Sequence, residues 1–184
     1  MIPAPILPVL TGDWTLRQVS PDGDDLDLVH RWMNEPHVSR FWKQDWPKDK
    51  WREELTGQLS GDHSRPCFLL KDGEPVVYVE IYRVVRDQLA AAYGSRPHDV
   101  GVHLAIGDPK WTGRGVASTT MPLLAKALLA ADESCTRVVL EPDVRNVPAI
   151  RALRSGGFHH RGEVTLPNKT AALLVYPRTE EDLP

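Results

Sequence analysis

Three short stretches carry residue types at spacings that can do chemistry. The first is Thr112-Gly113-Arg114-Gly115-Val116-Ala117. Two glycines and a small alanine let the backbone turn sharply and approach a ligand. A helix starting there offers free N–H groups and a positive dipole end to an anion such as a pyrophosphate, and Arg114 could add a charge. No Gly-Lys-Ser/Thr follows, so this is not a Walker loop. Glu141 only weakly imitates the acidic partner of a dinucleotide fingerprint. On spacing alone, an ordinary glycine-rich turn before a helix is the simpler reading.

The second is His103. Residues 100–106 alternate: Val100, Val102, Leu104 and Ile106 share one face, and Gly101, His103, Ala105 and Gly107 the other. His103 should therefore emerge among small residues, where a ligand can approach; a satisfied structural histidine is the plainer alternative. The third is Asp143, which follows an apolar run at residues 138–140, behind Pro142. It reads as a turn former, a helix cap or a functional carboxylate, and Asn146 competes for the cap.

The elements around these residues follow from periodicity and punctuation. A first strand is expected within residues 11–20, and a helix capped by Asp24 or Asp25 runs to Met33. Asn34-Glu35-Pro36 ends it. Residues 37–46 read as irregular and aromatic, and residues 47–59 as a helix. A hairpin turns at Lys71-Asp72-Gly73 between strands at 67–70 and 76–83. Then come a strand at 99–106, a helix at 113–131 that Pro122 kinks or delays, a strand at 137–141 and a helix from Asn146 through Arg154. Pro148 sits in the first turn of that helix. Two last strands occupy 163–166 and 169–176. The order predicts an α/β (α+β) domain with helices on both sides of a mixed central sheet. One domain over residues 1–184 is expected, with 1–10 and 178–184 as loose ends.

Composition narrows the function. The chain has 184 residues, 22 Lys+Arg against 25 Asp+Glu and a net charge of -3, so a nucleic-acid partner is not expected. No apolar run reaches membrane-spanning length. The first ten residues have prolines and no basic start, so no signal peptide is read and the cytoplasm is the expected location. The seven histidines show no metal spacing, and the two cysteines, Cys67 and Cys135, form no C-x-x-C pair; no metal is expected. Six of the aromatics are tryptophan, and five of these (Trp14, Trp32, Trp42, Trp46, Trp51) precede residue 52.

Residues 102–117 (VHLAIGDPKWTGRGVA) resemble the acyl-CoA-binding motif of the GNAT N-acyltransferase superfamily, and residues 146–158 (NVPAIRALRSGGF) resemble its second signature. A finer resemblance is to the hydroxamate-siderophore acyltransferases of the aerobactin, mycobactin and desferrioxamine pathways. It is carried by Trp32-Met33-Asn34-Glu35-Pro36-His37 with Phe41-Trp42, by Glu80-Ile81-Tyr82, by residues 98–104 and 141–146, and by Pro167 to Leu173. The wording of residues 82–84 and 102–106 looks nearest the desferrioxamine type, a resemblance that favours N-hydroxycadaverine as acceptor.

The resemblance implies a GNAT fold, acetyl-CoA or succinyl-CoA as co-substrate with no permanent cofactor, and an N-hydroxylated amine, N-hydroxycadaverine or N6-hydroxylysine, as acceptor. It pairs His103 with Asp143 as the catalytic groups and assigns Leu104, Ile106, Thr112, Gly113, Arg114, Gly115, Val116, Ala117 and Asn146 to the co-substrate. His37, Trp42, Glu80 and Tyr82 are candidates for the acceptor pocket. Trp42 could equally be core packing, and Glu80 either binds a cationic amine or is an exposed charge. Arg83 reads as a solvated arginine, with the free carboxylate of a succinyl donor as its functional alternative; His159-His160 reads as a solvated turn. Thr112 stands where the superfamily has Gln or Arg. Leu153 stands where it often has a tyrosine that protonates the leaving thiolate, so no phenol can do so from that position. The alternatives are an aminoglycoside or polyamine N-acetyltransferase and a non-catalytic acyl-CoA-binding module.

Overall fold

A computed structural model of the chain describes residues 2–184. Along it run β1 (Trp14–Gln18), α1 (Gly23–Met33), α2 (Pro36–Trp42), α3 (Lys48–Ser60), β2 (Ser64–Lys71), β3 (Glu74–Arg83), β4 (Val100–Ala105), α4 (Val116–Ala131), β5 (Arg137–Leu140), α5 (Val147–Ser155), β6 (His159–Leu166) and β7 (Lys169–Pro177). The strands form one sheet in the order β1-β2-β3-β4-β5-β7-β6. Every neighbouring pair is antiparallel except β4 and β5.

Alternation along the strands divides the core. Cys67 and Leu69 of β2 face Met121, Leu124 and Leu128 of α4, whereas Phe68 and Leu70 face Leu26, Val29, Trp32, Trp51 and Leu55 of α1 and α3. Each sheet face is thus covered by its own helices, as the order of elements predicts. The hairpin closes on Asp72 and Gly73, both at positive φ (50° and 83°), the backbone that a two-residue turn needs to match the strand twist.

The parallel pair matters most for function. β4 and β5 pair only at Val100↔Val138 and Gly101↔Val139, although β4 continues to Ala105. Beyond Gly101 the two strands part, and the sheet has a wedge-shaped opening.

Several boundaries differ from expectation. Residues 36–42 form a helix, because Pro36 opens α2 at its first turn as well as closing α1. α1 starts after Asp22, so neither Asp24 nor Asp25 is its cap. The glycine turn runs to Gly115, so α4 starts at Val116 and holds Pro122 inside it. His159 and His160 are exposed strand residues of β6, not a turn. The ends of the chain are tied down. Arg83 donates to the carbonyls of Pro3 (2.9 Å) and Ala4 (3.4 Å), Arg86 donates to that of Ile2, and Arg178 donates to the carbonyl of Cys135 (2.8 Å). Arg83 is therefore neither solvated nor a receptor for a donor's carboxylate: it is fully buried, and its guanidinium pairs with Asp132 at 2.8 Å.

Candidate active site

The opening between β4 and β5 continues into a cavity of about 750 Å³. At one end lies the glycine turn. Gly113 and Gly115 have φ of 69° and 73°, conformations that cost a side-chain-bearing residue roughly 1–2 kcal/mol. The first helical bond of α4 runs from Thr119 N to Gly115 O (3.1 Å), so the N–H groups of Val116, Ala117 and Ser118 have no partner in the helix. Leu104, Ile106, Thr112, Gly113, Gly115, Val116, Ala117 and Asn146 all line this cavity. Arg114 does not: it is exposed on the far side of the turn. Asn146 is also the cap of α5, accepting from Ala149 N at 3.3 Å. Leu153 contributes an apolar wall.

At the other end His103 projects from β4 past the point where pairing stops. Its Nε2 lies 2.6 Å from Oε1 of Glu141 and its Nδ1 3.4 Å from Oε2 of Glu80. Two carboxylates on the two ring nitrogens require two N–H donors, which only the imidazolium has. Burial opposes that charge, but the Glu141 carboxylate and then Glu80 outweigh it and raise the His103 pKa to about 10. Reciprocally, burial favours the neutral acid at Glu141, yet the His103 charge and hydrogen bond, with smaller help from Lys169 and Tyr82, hold it down at about 2. Glu80 is lowered against its own burial by His103, Gln58 and Tyr78.

Four expectations about this end change. First, the partner of His103 is Glu141, not Asp143. Asp143 lines the same cavity, but its Oδ1 accepts from Arg145 N and Nε (both 2.9 Å) and its Oδ2 from Nη2 (2.6 Å). Arg145 holds that carboxyl well below the usual carboxylate range. Second, the small neighbours of His103 serve different ends: Ala105 lines the cavity beside it, whereas Gly101 and Gly107 make room for aromatic rings. A Cβ at Gly101 would lie 2.1 Å from the Tyr82 ring, and one at Gly107 1.9 Å from Trp32. Third, Tyr82 does not line the cavity. It is buried beneath His103, with ring centroids 4.6 Å apart, and its hydroxyl donates to Glu141 Oε2 at 2.9 Å. Fourth, Glu80 is not an exposed charge; it is 9% exposed and its Oε1 accepts from Tyr78 Oη and Gln58 Nε2, both at 2.9 Å.

His37 and Trp42 are candidates for the acceptor pocket. Both line the cavity, His37 donating to the Ile106 carbonyl (2.8 Å) and Trp42 packing edge-on to His103 at 6.0 Å. Of the early tryptophans, Trp32 and Trp51 are core, at 3% and 0% exposure. Lys169, overlooked in the sequence, lines the cavity with its Nζ 3.9 Å from Glu141. Glu141 was legible in principle. Asp99 and Arg137 form a buried ion pair at 2.6 Å with a sequence separation of 38, and His103 and Glu141 have the same separation. An Asp-x-x-x-His segment facing an Arg-x-x-x-Glu segment in parallel register matches charge at both ends.

Comparison with known proteins identifies the family and the fold. The model of an acetyltransferase (GNAT) domain matches residues 22–166. The chain is 39% identical over 183 residues to the lysine N-acyltransferase MbtK of Mycobacterium sp. (strain MCS), covering 100% of this chain and 75% of that one. It is 30% identical over 154 residues to an N(6)-hydroxylysine O-acetyltransferase of Escherichia coli, covering 84% of this chain and 49% of that one. An uncharacterized protein of Bacillus halodurans superposes with a TM-score of 0.85 at 30% identity, over 93% and 90% of the two chains. An aminoglycoside acetyltransferase solved with ribostamycin and coenzyme A superposes at 0.78 with 22% identity, over 94% and 100%, and shares the fold.

Proposed function

Because the chain belongs to the GNAT acetyltransferase family, we propose that it transfers an acyl group from acyl-CoA to the nitrogen of an N-hydroxylated amine, forming a hydroxamate in siderophore assembly. The observation that carries this reading is the placing of the His103 ring. The ring is held between Glu141 and Glu80 where β4 and β5 part, in the cavity that also holds the glycine turn.

The division of roles follows from protonation states. No residue lining the cavity is a tyrosine, and an ordinary tyrosine has a pKa of about 10. His103, raised to about 10, has the acidity of the missing phenol. It is the acid that protonates the leaving thiolate, and the N–H facing Glu80 at 3.4 Å is the more loosely held of its two. For the same reason His103 is a poor proton acceptor at neutral pH, and a hydroxylamine suits the site because its nitrogen is neutral without help from a base. The nitrogen lone pair attacks the thioester carbon, the C–N bond forms, and the adduct nitrogen becomes strongly acidic. A weak base suffices to take that proton, and Asp143, ionised and facing the cavity, can do so. Its pairing with Arg145 makes it an orienting acceptor rather than a strong base. As the C–S bond breaks, His103 gives its proton to sulfur. Backbone N–H at Leu104 is the candidate donor to the oxyanion.

Relatives named for lysine and N6-hydroxylysine tilt the acceptor toward N6-hydroxylysine over N-hydroxycadaverine. The glycine turn and the cavity walls at Leu104, Ile106 and Asn146 suit acetyl-CoA or succinyl-CoA. The proposed location is the cytoplasm, where acyl-CoA is made; no described helix is long and apolar enough to cross a membrane. A matrix of donors and acceptors read by thiol release tests the function. CoA should appear with the hydroxylated amines and not with aminoglycosides or spermidine; release with aminoglycosides, or with no acceptor, would overturn the proposal.

A further inference from the structure

Behind Glu80, on the side away from His103, lies a second cavity of about 410 Å³, lined among others by Lys50, Glu53, Glu54, Gln58, His63 and Ser64. One side chain separates it from the acid cluster. The Gln58 amide donates from Nε2 to Glu80 Oε1 (2.9 Å) and to Glu54 Oε1 (2.8 Å), and its Oε1 accepts from Ser64 Oγ (3.2 Å). The donor at Ser64 and the two carboxylates fix which way the amide points, since only NH₂ can serve both carboxylates. Gln58 sits on α3 and does not line the catalytic cavity.

We propose that Gln58 is a positioning residue for the acyl transfer, holding Glu80 ionised and turned toward His103. This rests on the acid role given to His103 above. Glu80 has two oxygens. Oε1 is taken by Gln58 and Tyr78, which leaves Oε2 to face Nδ1 of His103. Without the amide, a 9%-exposed carboxylate keeps the Tyr78 hydroxyl and the His103 imidazolium at 3.4 Å, and Glu54 is left beside it with no donor between them. Both changes favour the protonated acid. A protonated Glu80 no longer attracts the imidazolium, and the Nδ1 face of His103 loses its alignment. The groups facing Glu80 are Tyr78 from its own strand, His103 from β4, and Gln58 with Glu54 behind it from α3.

The test uses the whole chain with Gln58→Leu and the near-isosteric Gln58→Glu, which puts a third carboxylate in place of the amide. The first readout is the ¹³C-carboxyl titration of Glu80 by NMR, assigned with Glu80→Gln. Loss of one hydrogen bond to a charged group should move the Glu80 midpoint up by about one pH unit in Gln58→Leu, and at least as far in Gln58→Glu. The second is the pH–rate profile: the acid limb of kcat should move up with the carboxyl midpoint while KM for acyl-CoA stays within about twofold. An unchanged Glu80 midpoint in both variants, with only a lower melting temperature, would overturn the proposal and make Gln58 a packing residue. The titration does not require turnover. If the parent enzyme fails to acylate hydroxylamines, the functional reading falls and Gln58 is still judged by the carboxyl signal.

Discussion

β4 and β5 are bridged by two pairs of ionisable side chains with the same sequence separation of 38, one at each end of their short contact. At the closed end, Asp99 and Arg137 are 0% and 2% exposed. Arg137 donates to both Asp99 oxygens (2.9 and 2.6 Å) and to the Gly94 carbonyl, and the Tyr93 hydroxyl caps the carboxylate at 2.8 Å. Both members of this pair are buried with their charged atoms partnered. At the open end, His103 and Glu141 make the same kind of bridge, but His103 keeps 35% of its side chain exposed, toward the cavity. The pairs differ less in chemistry than in what the backbone does around them. Where the strands bond, the ion pair is sealed in the core; where they part, the equivalent pair faces a cavity.

That contrast can be broken in five ways. The largest expected effect is at the open end: His103→Ala, or Glu141→Gln, should lower kcat by about 10²–10⁴-fold with KM for acyl-CoA little changed. Steady-state kinetics with both substrates varied would show it, and near-normal turnover in both variants would return His103 to a structural role. At the closed end, Asp99→Asn leaves Arg137 buried without its carboxylate and should cost about 3–5 kcal/mol of stability. Urea unfolding measures this; a folded fraction with unchanged kcat supports the division of labour, and a loss of kcat in fully folded protein refutes it.

Proton linkage separates the ends as well. The folded pKa of His103 is raised from 6.5 to about 10. Its contribution to stability is therefore complete below about pH 6.5 and is lost as the pH rises toward 10. Glu141, lowered from 4.5 to about 2, adds stability above pH 4.5 that is lost as the pH falls toward 2. Melting temperature should fall between pH 7 and 10 in the native chain and less steeply in Glu141→Gln; parallel curves would mean that the two groups are not coupled.

Within the cavity, a substitution at the backbone-built end should act on binding alone. Gly115→Ala forces a side chain into φ of 73° and should raise KM for acyl-CoA about tenfold, the equivalent of roughly 1–2 kcal/mol. At saturating acyl-CoA the kcat should be kept. The smallest effect is expected of Trp42→Ala, which should raise the acceptor KM several-fold and leave that for acyl-CoA alone. A change confined to acyl-CoA would make Trp42 part of the donor wall.

The donor end was legible in the sequence because backbone builds it. Gly113 and Gly115 are glycines for a local reason, the positive φ of the turn, and that reason is written at the positions themselves. The helix that follows, the Asn146 cap and the alternation of β4 are equally local. Pro36 shows the limit of such reading: the same residue ends one helix and opens the next, and its local preference serves both. The acceptor end is built from side chains on α2, β3, β4, β7 and the loop after β5. There the local reading paired His103 with Asp143, counted Gly101 and Gly107 among the small residues that leave a ligand room and put Tyr82 in the pocket wall.

From its sequence alone, this chain determines its sheet and helices, its glycine turn, its family and the place of His103 on β4. Periodicity, glycine backbone freedom and helix-end chemistry act over a few residues and leave their mark where they act. Only the tertiary structure decided which carboxylates charge that histidine, that Arg83 is a buried clamp on the chain's beginning, and that Gln58 stands behind Glu80. Those choices depend on strand register and on which helix covers which face. A pairing at a separation of 38 costs nothing to write in sequence and acquires meaning only when two parallel strands are laid side by side.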